Sequence, residues 1–135
     1  KHLIAERDEV VIVDMEAGIE HLTRGTTEHV DAFIVVVEPG QRSIQTALTI
    51  KEMARELGVK EVMAVANKVR TAEDLDFIKT SMGGMKLIGV ISFNNSIMEA
   101  DIKGISPYKN SPETTKEIKK IKDALEGILN EKKQQ

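Results

Sequence analysis

The 135-residue sequence has no cysteine and no tryptophan, and its only aromatic rings are Tyr108 and three phenylalanines. Without cysteine, no disulfide framework, thiolate nucleophile or thiolate-ligated metal site can form within these residues. The same lack fits a reducing cytoplasm, where disulfides do not persist. At 3% aromatic residues there is too little ring surface for a platform that stacks single-stranded bases. An excess of either charge is also missing. Nineteen Lys and Arg against 22 Asp and Glu leave a net charge of −3, which excludes a strongly basic nucleic-acid binder and an acidic-tail protein as first readings. No apolar run approaches the ~20 residues that span a bilayer. The stretch from Lys1 to Glu9 carries charges where a signal peptide needs an apolar core, and no initiator Met stands first. The chain is expected to be soluble and cytoplasmic, to touch neither membrane nor nucleic acid, and to be a fragment.

What is present reads as one globular unit over residues 1–135. The apolar content, 41%, is ordinary for a folded domain, and the length sets a prior of one domain. Four short apolar runs stand out: Val10–Val13, Phe33–Val37, Val62–Ala66 and Leu87–Ile91. Each is rich in β-branched residues and none alternates with polar ones, the pattern of strands covered on both faces of a parallel sheet. The intervening stretches are long enough for the crossover helices that parallel neighbours require. Ser43 stands as a cap before Ile44, Ala47, Leu48, Met53, Ala54 and Leu57, with Gly58 at the left-handed position after the helix. Thr71 opens a T-A-E-D capping pattern before Leu75, Ile78 and Met82, and Gly83-Gly84 ends that helix. Ser111-Pro112-Glu113 marks a third helix start, followed by a stripe of Ile118, Ile121, Ala124, Leu125, Ile128 and Leu129 and a frayed tail from Glu131. The order predicts an α/β fold: a mostly parallel sheet of about four strands, right-handed crossovers and flanking helices.

Ligands of open α/β sheets lie at the carboxyl ends of the strands. Asp14 follows the first apolar run directly, and an acid there suits Mg²⁺, directly or through water, because a hard cation takes oxygen ligands. Gly18, four residues on, lets backbone approach an anion and offer its N–H. By themselves these residues serve equally as a helix-capping Asp and a turn Gly. The other strand ends add Glu38-Pro39-Gly40 with Arg42-Ser43, then Asn67-Lys68, then Ser92-Phe93-Asn94-Asn95. The Asn67 amide matches the donor–acceptor edge of a purine, or simply ends a strand in a turn.

The segment D-M-E-A-G-I-E-H-L-T-R-G-T resembles the switch of the MinD-like, deviant-Walker P-loop ATPases, and more closely the CooC-type accessory ATPases that insert nickel into carbon monoxide dehydrogenase. The likeness continues through V-V-V-E-P-G-Q-R-S-I-Q-T-A and V-A-N-K-V-R, covering roughly residues 9 to 105. The resemblance implies that Asp14 contacts Mg²⁺ through water and that Gly18 sits beside the γ-phosphate, the two together forming the catalytic switch. It implies that Asn67 reads adenine and that Ser92, Phe93, Asn94 and Asn95 line the base pocket. Lys68, beside Asn67, is counted with the nucleotide-contacting residues; Glu38, Pro39 and the helix from Arg42 fall near the nucleotide and the dimer surface. Glu16 departs from the Pro or Gly common in that switch.

A P-loop ATPase also needs a Gly-rich phosphate cradle with Lys and Ser/Thr, and no G-x-x-x-x-G-K-[ST] pattern occurs here. Gly83-Gly84-Met85-Lys86 precedes a strand and is followed by Leu87 where a hydroxyl belongs, so it is not that cradle. In the family, the phosphate loop and a nickel-binding Cys-x-Cys pair lie upstream. The chain is therefore read as the C-terminal half of a P-loop NTPase. Its parent is expected to bind ATP and ADP with Mg²⁺, to hold nickel through upstream residues, to act as a homodimer and to serve carbon monoxide dehydrogenase, while the chain alone is inactive. Loss of the first strand's neighbours leaves an apolar edge, so the isolated chain is expected to associate. His21 and His29, eight residues apart beside Glu20 and Glu28, lack metal-site spacing and read as solvated surface; His2 reads as terminus. Other classes are a general MinD- or ParA-like partitioning or cluster-carrier ATPase, and a non-enzymatic flavodoxin-like or receiver-like module.

Overall fold

β-branched residues build the sheet. In the computed structural model of the protein, residues 9–15 and 30–134 are described. The run Phe33–Val37, four of whose five residues are Ile or Val, forms β1 over the boundaries its sequence predicts. β2 spans Val62–Val69 and β3 spans Lys86–Ser92. All three are parallel in the order β1-β2-β3. The helix α1, Gln41–Glu56, crosses from β1 to β2, and α2, Ala72–Ser81, crosses from β2 to β3. After β3 come α3, Asn95–Ile102, the single turn α4, Pro107–Asn110, and the long α5, Pro112–Lys133.

Helices cover the sheet on both faces. Val35 and Val37 of β1 with Ala64, Ala66 and Val69 of β2 pack against Ile44 and Ala47 of α1 and Ile78 of α2. Met63, Val65 and Ile88 face the other way and meet Ile121 of α5, flanked by Ala124, Leu125 and Ile128. Ile118 is 51% exposed, but from Ile121 to Ile128 the predicted stripe of the last helix is thus the face that packs. Its seat is tight: a Cβ at Gly89 would lie 2.2 Å from Ile121 Cγ1. Gly89 belongs to a register shift, since Ala64 pairs with Leu87 and Val65 with Gly89. The extra residue turns two successive side-chain positions toward α5.

Several expectations need correction. The sheet has three strands among the described residues rather than about four. Residues 9–15, which include Val10–Val13, have no regular secondary structure, and Val10 and Ile12 are 77% and 88% exposed. An apolar run becomes a strand only when neighbouring strands take its N–H and C=O groups, and no described strand pairs with this one. Ser43 does not cap α1. The cap position is Gly40, and Ser43 lies one turn inside, where its Oγ accepts the Glu38 N–H at 2.9 Å and closes the β1–α1 turn. The tail does not fray at Glu131. The helix runs to Lys133, and Lys132 forms an ion pair with Glu61 at the start of β2. Two short helices, α3 and α4, stand between β3 and α5, where the sequence predicts no element. The helix expected between the first two apolar runs, and the histidines at 2, 21 and 29, fall outside the described residues.

Other local predictions hold. Gly58 has φ +84 just past the α1 C-cap, the left-handed geometry its place in the sequence implies. Thr71 caps α2, its side chain accepting the Asp74 N–H at 3.1 Å, while the Asp74 carboxylate accepts the Arg70 N–H at 2.9 Å. The exposed Glu73 carboxyl lies below its ordinary value because its own backbone N–H, and then Thr71, hydrogen-bonds the charged form. Ser111 does precede α5, with Pro112 in its first turn.

The seat of α5 gives a pair of predictions of opposite sign. Gly89→Ala should destabilise the chain by about 1–3 kcal/mol, the range for overpacking, read from the midpoint of urea unfolding. Gly127→Ala, mid-helix with nothing within 4 Å of the new methyl, should stabilise it by about 0.5–1 kcal/mol in the same assay. Ile34 and Val36 are 42% and 58% exposed on the β1 face that α5 leaves bare. The isolated chain should therefore associate with rising concentration in light scattering, and a monodisperse monomer throughout would contradict this.

Candidate functional site at the carboxyl edge of the sheet

Two cavities open at the carboxyl ends of β2 and β3. The larger, about 490 Å³, is lined by Ser92, Phe93, Asn94, Asn95, Glu113, Thr114 and Glu117. The smaller, about 290 Å³, is bounded chiefly by Asn67, Ile91, Tyr108, Thr114, Thr115 and Ile118. Thr114 belongs to both. The predicted base-pocket segment Ser92–Asn95 therefore does line a cavity, and Asn67 lines its neighbour.

The walls are held by side chains bonded to one another. Asn94 Oδ1 accepts the Ser96 N–H at 2.9 Å and caps α3, while its Nδ2 donates to Ser111 Oγ at 2.8 Å. Ser111 Oγ in turn donates to Thr114 Oγ1 at 2.8 Å. Ser111 and Thr114 are 2% and 7% exposed, so this chain of bonds is buried at its hydroxyl end and half-buried at Asn94. It ties the β3–α3 connection to the first turn of α5. A second clasp does the same from outside: Glu117 accepts the Ser92 N–H at 3.0 Å and the Ser92 hydroxyl at 2.7 Å. Ser92 is thus already occupied. Phe93 donates its N–H to Val69 O at 2.9 Å, and the Arg70 guanidinium lies 4.5 Å from its ring centroid. That cation–π contact stitches the end of β2 to the end of β3.

Lys68, Glu38 and Pro39 lie at the same edge and line neither cavity. Lys68 Nζ stands 2.8 Å from Glu38 Oε1, joining the ends of β2 and β1, with side chains 57% and 46% exposed. A pair so wet adds little stability. Lys68 has φ +55, the single positive φ on a non-glycine residue among those described. Pro39 sits in the turn that Ser43 closes. Asp14 is exposed and lines neither cavity. Gly18 and Glu16 lie outside the described residues.

Sequence reasoning missed the contribution of α5. Glu113, Thr114, Thr115 and Glu117 supply one wall, yet the stripe was traced only from Ile118. Extended backwards at the same spacing, Ile121 leads to Glu117 and then to Thr114, so the face that packs on the sheet becomes polar where it passes the sheet's edge. That change of polarity along one face was the available signal.

Comparison with known proteins places this edge in context. No protein-family model matches the chain. It is 46% identical over 112 residues to the carbon monoxide dehydrogenase accessory protein CooC of Rhodospirillum rubrum, covering 83% of this chain and 43% of that protein. Its relatives are the CooC-type ATP-binding proteins. An uncharacterised ATP-binding protein of Methanocaldococcus jannaschii is 42% identical over 132 residues, 96% of this chain and 52% of that one. Among solved structures, the MinD cell division protein of Aquifex aeolicus aligns with a TM-score of 0.59 at 16% identity, over 72% of this chain and 44% of that chain. That likeness shows the fold: the α/β architecture is that of MinD-like P-loop ATPases. The chain spans about half the length of the curated relatives it matches.

The buried hydroxyl network yields its own test. Ser111→Ala removes the acceptor of Asn94 Nδ2 and the donor to Thr114 Oγ1 together. It should cost about 1–3 kcal/mol, as for buried polar groups left unpaired, measured by chemical unfolding.

Proposed function

We propose that the chain is the C-terminal, base-binding part of an ATPase that assists nickel insertion into carbon monoxide dehydrogenase in the cytoplasm, acting as a homodimer. The observation that carries this is the small apolar cavity beside Asn67. A primary amide at the carboxyl end of a parallel strand, next to the Thr114 and Thr115 hydroxyls and a largely apolar lining that includes Ile91, Ile118 and Tyr108, suits a flat heteroaromatic base with one polar edge. An amide presents a donor and an acceptor together, matching the amino group and ring nitrogen of adenine. The identity to CooC supports the accessory role, and the ATP-binding relatives support the nucleotide.

Asp14 would take the Mg²⁺ end of the nucleotide. An exposed carboxylate is the donor type that a hard cation accepts. Among the described residues no three His, Cys, Asp or Glu side chains converge, so Asp14 would serve as a lone carboxylate, with water and phosphate completing the shell. Bound there, the cation would neutralise charge on the phosphate oxygens. The Gly18 N–H would face the γ-phosphate, so that loss of that group on hydrolysis frees the segment from Asp14 to Gly18 and reopens the dimer. Nickel is the cargo. This cysteine-free chain supplies no thiolate for it, and its ligands would come from the other half of the parent protein.

In the complete protein, Asn67→Ala should weaken ATP binding about tenfold by calorimetry, the equivalent of one good hydrogen bond. Asp14→Ala should abolish turnover with little change in nucleotide affinity, and should leave carbon monoxide dehydrogenase without nickel when the two are produced together. Residues 1–135 alone should not hydrolyse ATP. Mg²⁺-dependent turnover by that chain, lost in Asp14→Ala, would contradict the assignment.

A further inference from the structure

We infer that Lys68 acts through its backbone, as a positioning residue that lets Asn67 stay at the smaller cavity while Val69 returns to the opposite core, and that its ammonium is not a ligand for the nucleotide. The inference rests on the reading of Asn67 as the base-recognising residue.

The geometry of β2 leads there. Along a regular strand, side chains alternate between faces, so residues two apart share a face. Ala64 and Ala66 pack on the α1–α2 side with Val69, whereas Met63 and Val65 pack on the α5 side. Asn67 continues the second set and lines a cavity walled by Thr114, Thr115 and Ile118 of α5. Val69 is two residues further on and would have to follow Asn67 to the α5 side. Instead it is 8% exposed in the opposite core. The phase of the strand has therefore shifted by one residue between Asn67 and Val69.

The register shows where. Ala66 pairs with Val90 and Val69 with Ser92, so Asn67 and Lys68 together oppose Ile91 alone. This is a β-bulge, and Lys68 takes its left-handed residue at φ +55. Glycine is the usual occupant of such a place, because a Cβ there crowds the following carbonyl. A lysine in that conformation is held by what surrounds it: Val69 locked in one core, Asn67 at the other face, and the Phe93 N–H bonded to Val69 O. The lysine side chain itself contributes little to this. It is 57% exposed, paired with the half-exposed Glu38, and absent from both cavity walls. Without the left-handed turn, the strand can keep Asn67 at the cavity or Val69 in the core, but not both.

Lys68→Asn and Lys68→Val separate backbone from charge. Both remove the ammonium and the Glu38 pair. Asparagine tolerates the left-handed region, whereas a β-branched residue does not. In the complete protein, Lys68→Asn should bind ATP within about threefold of the unmodified protein and keep its preference for ATP over ITP. Lys68→Val should lose at least tenfold in ATP affinity and lose that preference, since misplacing Asn67 removes base recognition and leaves the phosphate contacts. The unfolding midpoint should stay level for Lys68→Asn and fall for Lys68→Val. Equal losses in the two variants, or full affinity in Lys68→Val, would overturn the inference. Asn67→Ala is the control: unchanged ATP affinity and ATP-over-ITP preference there would sink the base-site reading itself. A drop in Asn67→Ala with indistinguishable Lys68 variants would sink the positioning role alone.

Discussion

The contact of α5 with β3 at Gly89 governs the carboxyl edge of this protein. There is no space for a side chain between the strand and Ile121, so the helix axis is set at one height and one rotation above the sheet. From that seat the first turns of α5 project past the strand ends. Ser111, its N-cap, and Glu117 then reach Asn94 and Ser92 within hydrogen-bond distance. A helix displaced outward by a methyl group would lengthen the same bonds, and Ser111, which is buried, has no water to replace them. Core packing on one side of the helix and polar order at its start are therefore one constraint. Charge plays a small part, since the ion pairs across this edge are solvated.

Both bulges serve that arrangement. The one at Gly89 admits α5, and the one at Lys68 lets β2 present an amide to α5 while returning Val69 to the opposite core. A sheet covered on both faces has no neutral side on which a polar group can rest, because each position belongs to one core or the other. Keeping Asn67 at a ligand edge and Val69 in the opposite core therefore demands a local break in alternation. The break falls in the last residues of the strand, where the cost in ladder hydrogen bonds is smallest.

Much of this was legible in the chain. The runs that became β1, β2 and β3 were visible because continuous β-branched residues mark strands buried on both faces. Thr71, Gly58 and the stripe from Ile121 to Ile128 carried local signals that local structure honoured. Ser43 was misread because a serine three residues into a helix looks like a cap, and only the turn geometry shows it bonding backwards to Glu38. The bulge at Lys68 left no trace in the pattern: Lys68 is neither a glycine nor an asparagine, and the phase shift depends on what Val69 and Asn67 meet in three dimensions. The polar wall from α5 was readable in principle, as a packing stripe that turns hydrophilic at one end.

The run Val10–Val13 shows where local signals stop. Its composition matches the three runs that became strands, yet it is exposed and irregular, while β1 keeps a bare face at Ile34 and Val36. Strand formation needs a partner as well as a sequence, and parallel partners lie far apart along the chain. The curated relatives are about twice as long as the matched region, and on the proposed reading the parent protein's further residues would pair with this run and cover β1. On the proposed reading this divides the nucleotide site physically. The base end is built from a helix, two strand ends and a buried hydroxyl network, all within these residues. The phosphate end depends on Asp14, which follows a run that pairs with no strand among the described residues. A site divided in this way can hold the base rigidly while its phosphate side assembles and comes apart, and that asymmetry is what a switch driven by the γ-phosphate requires.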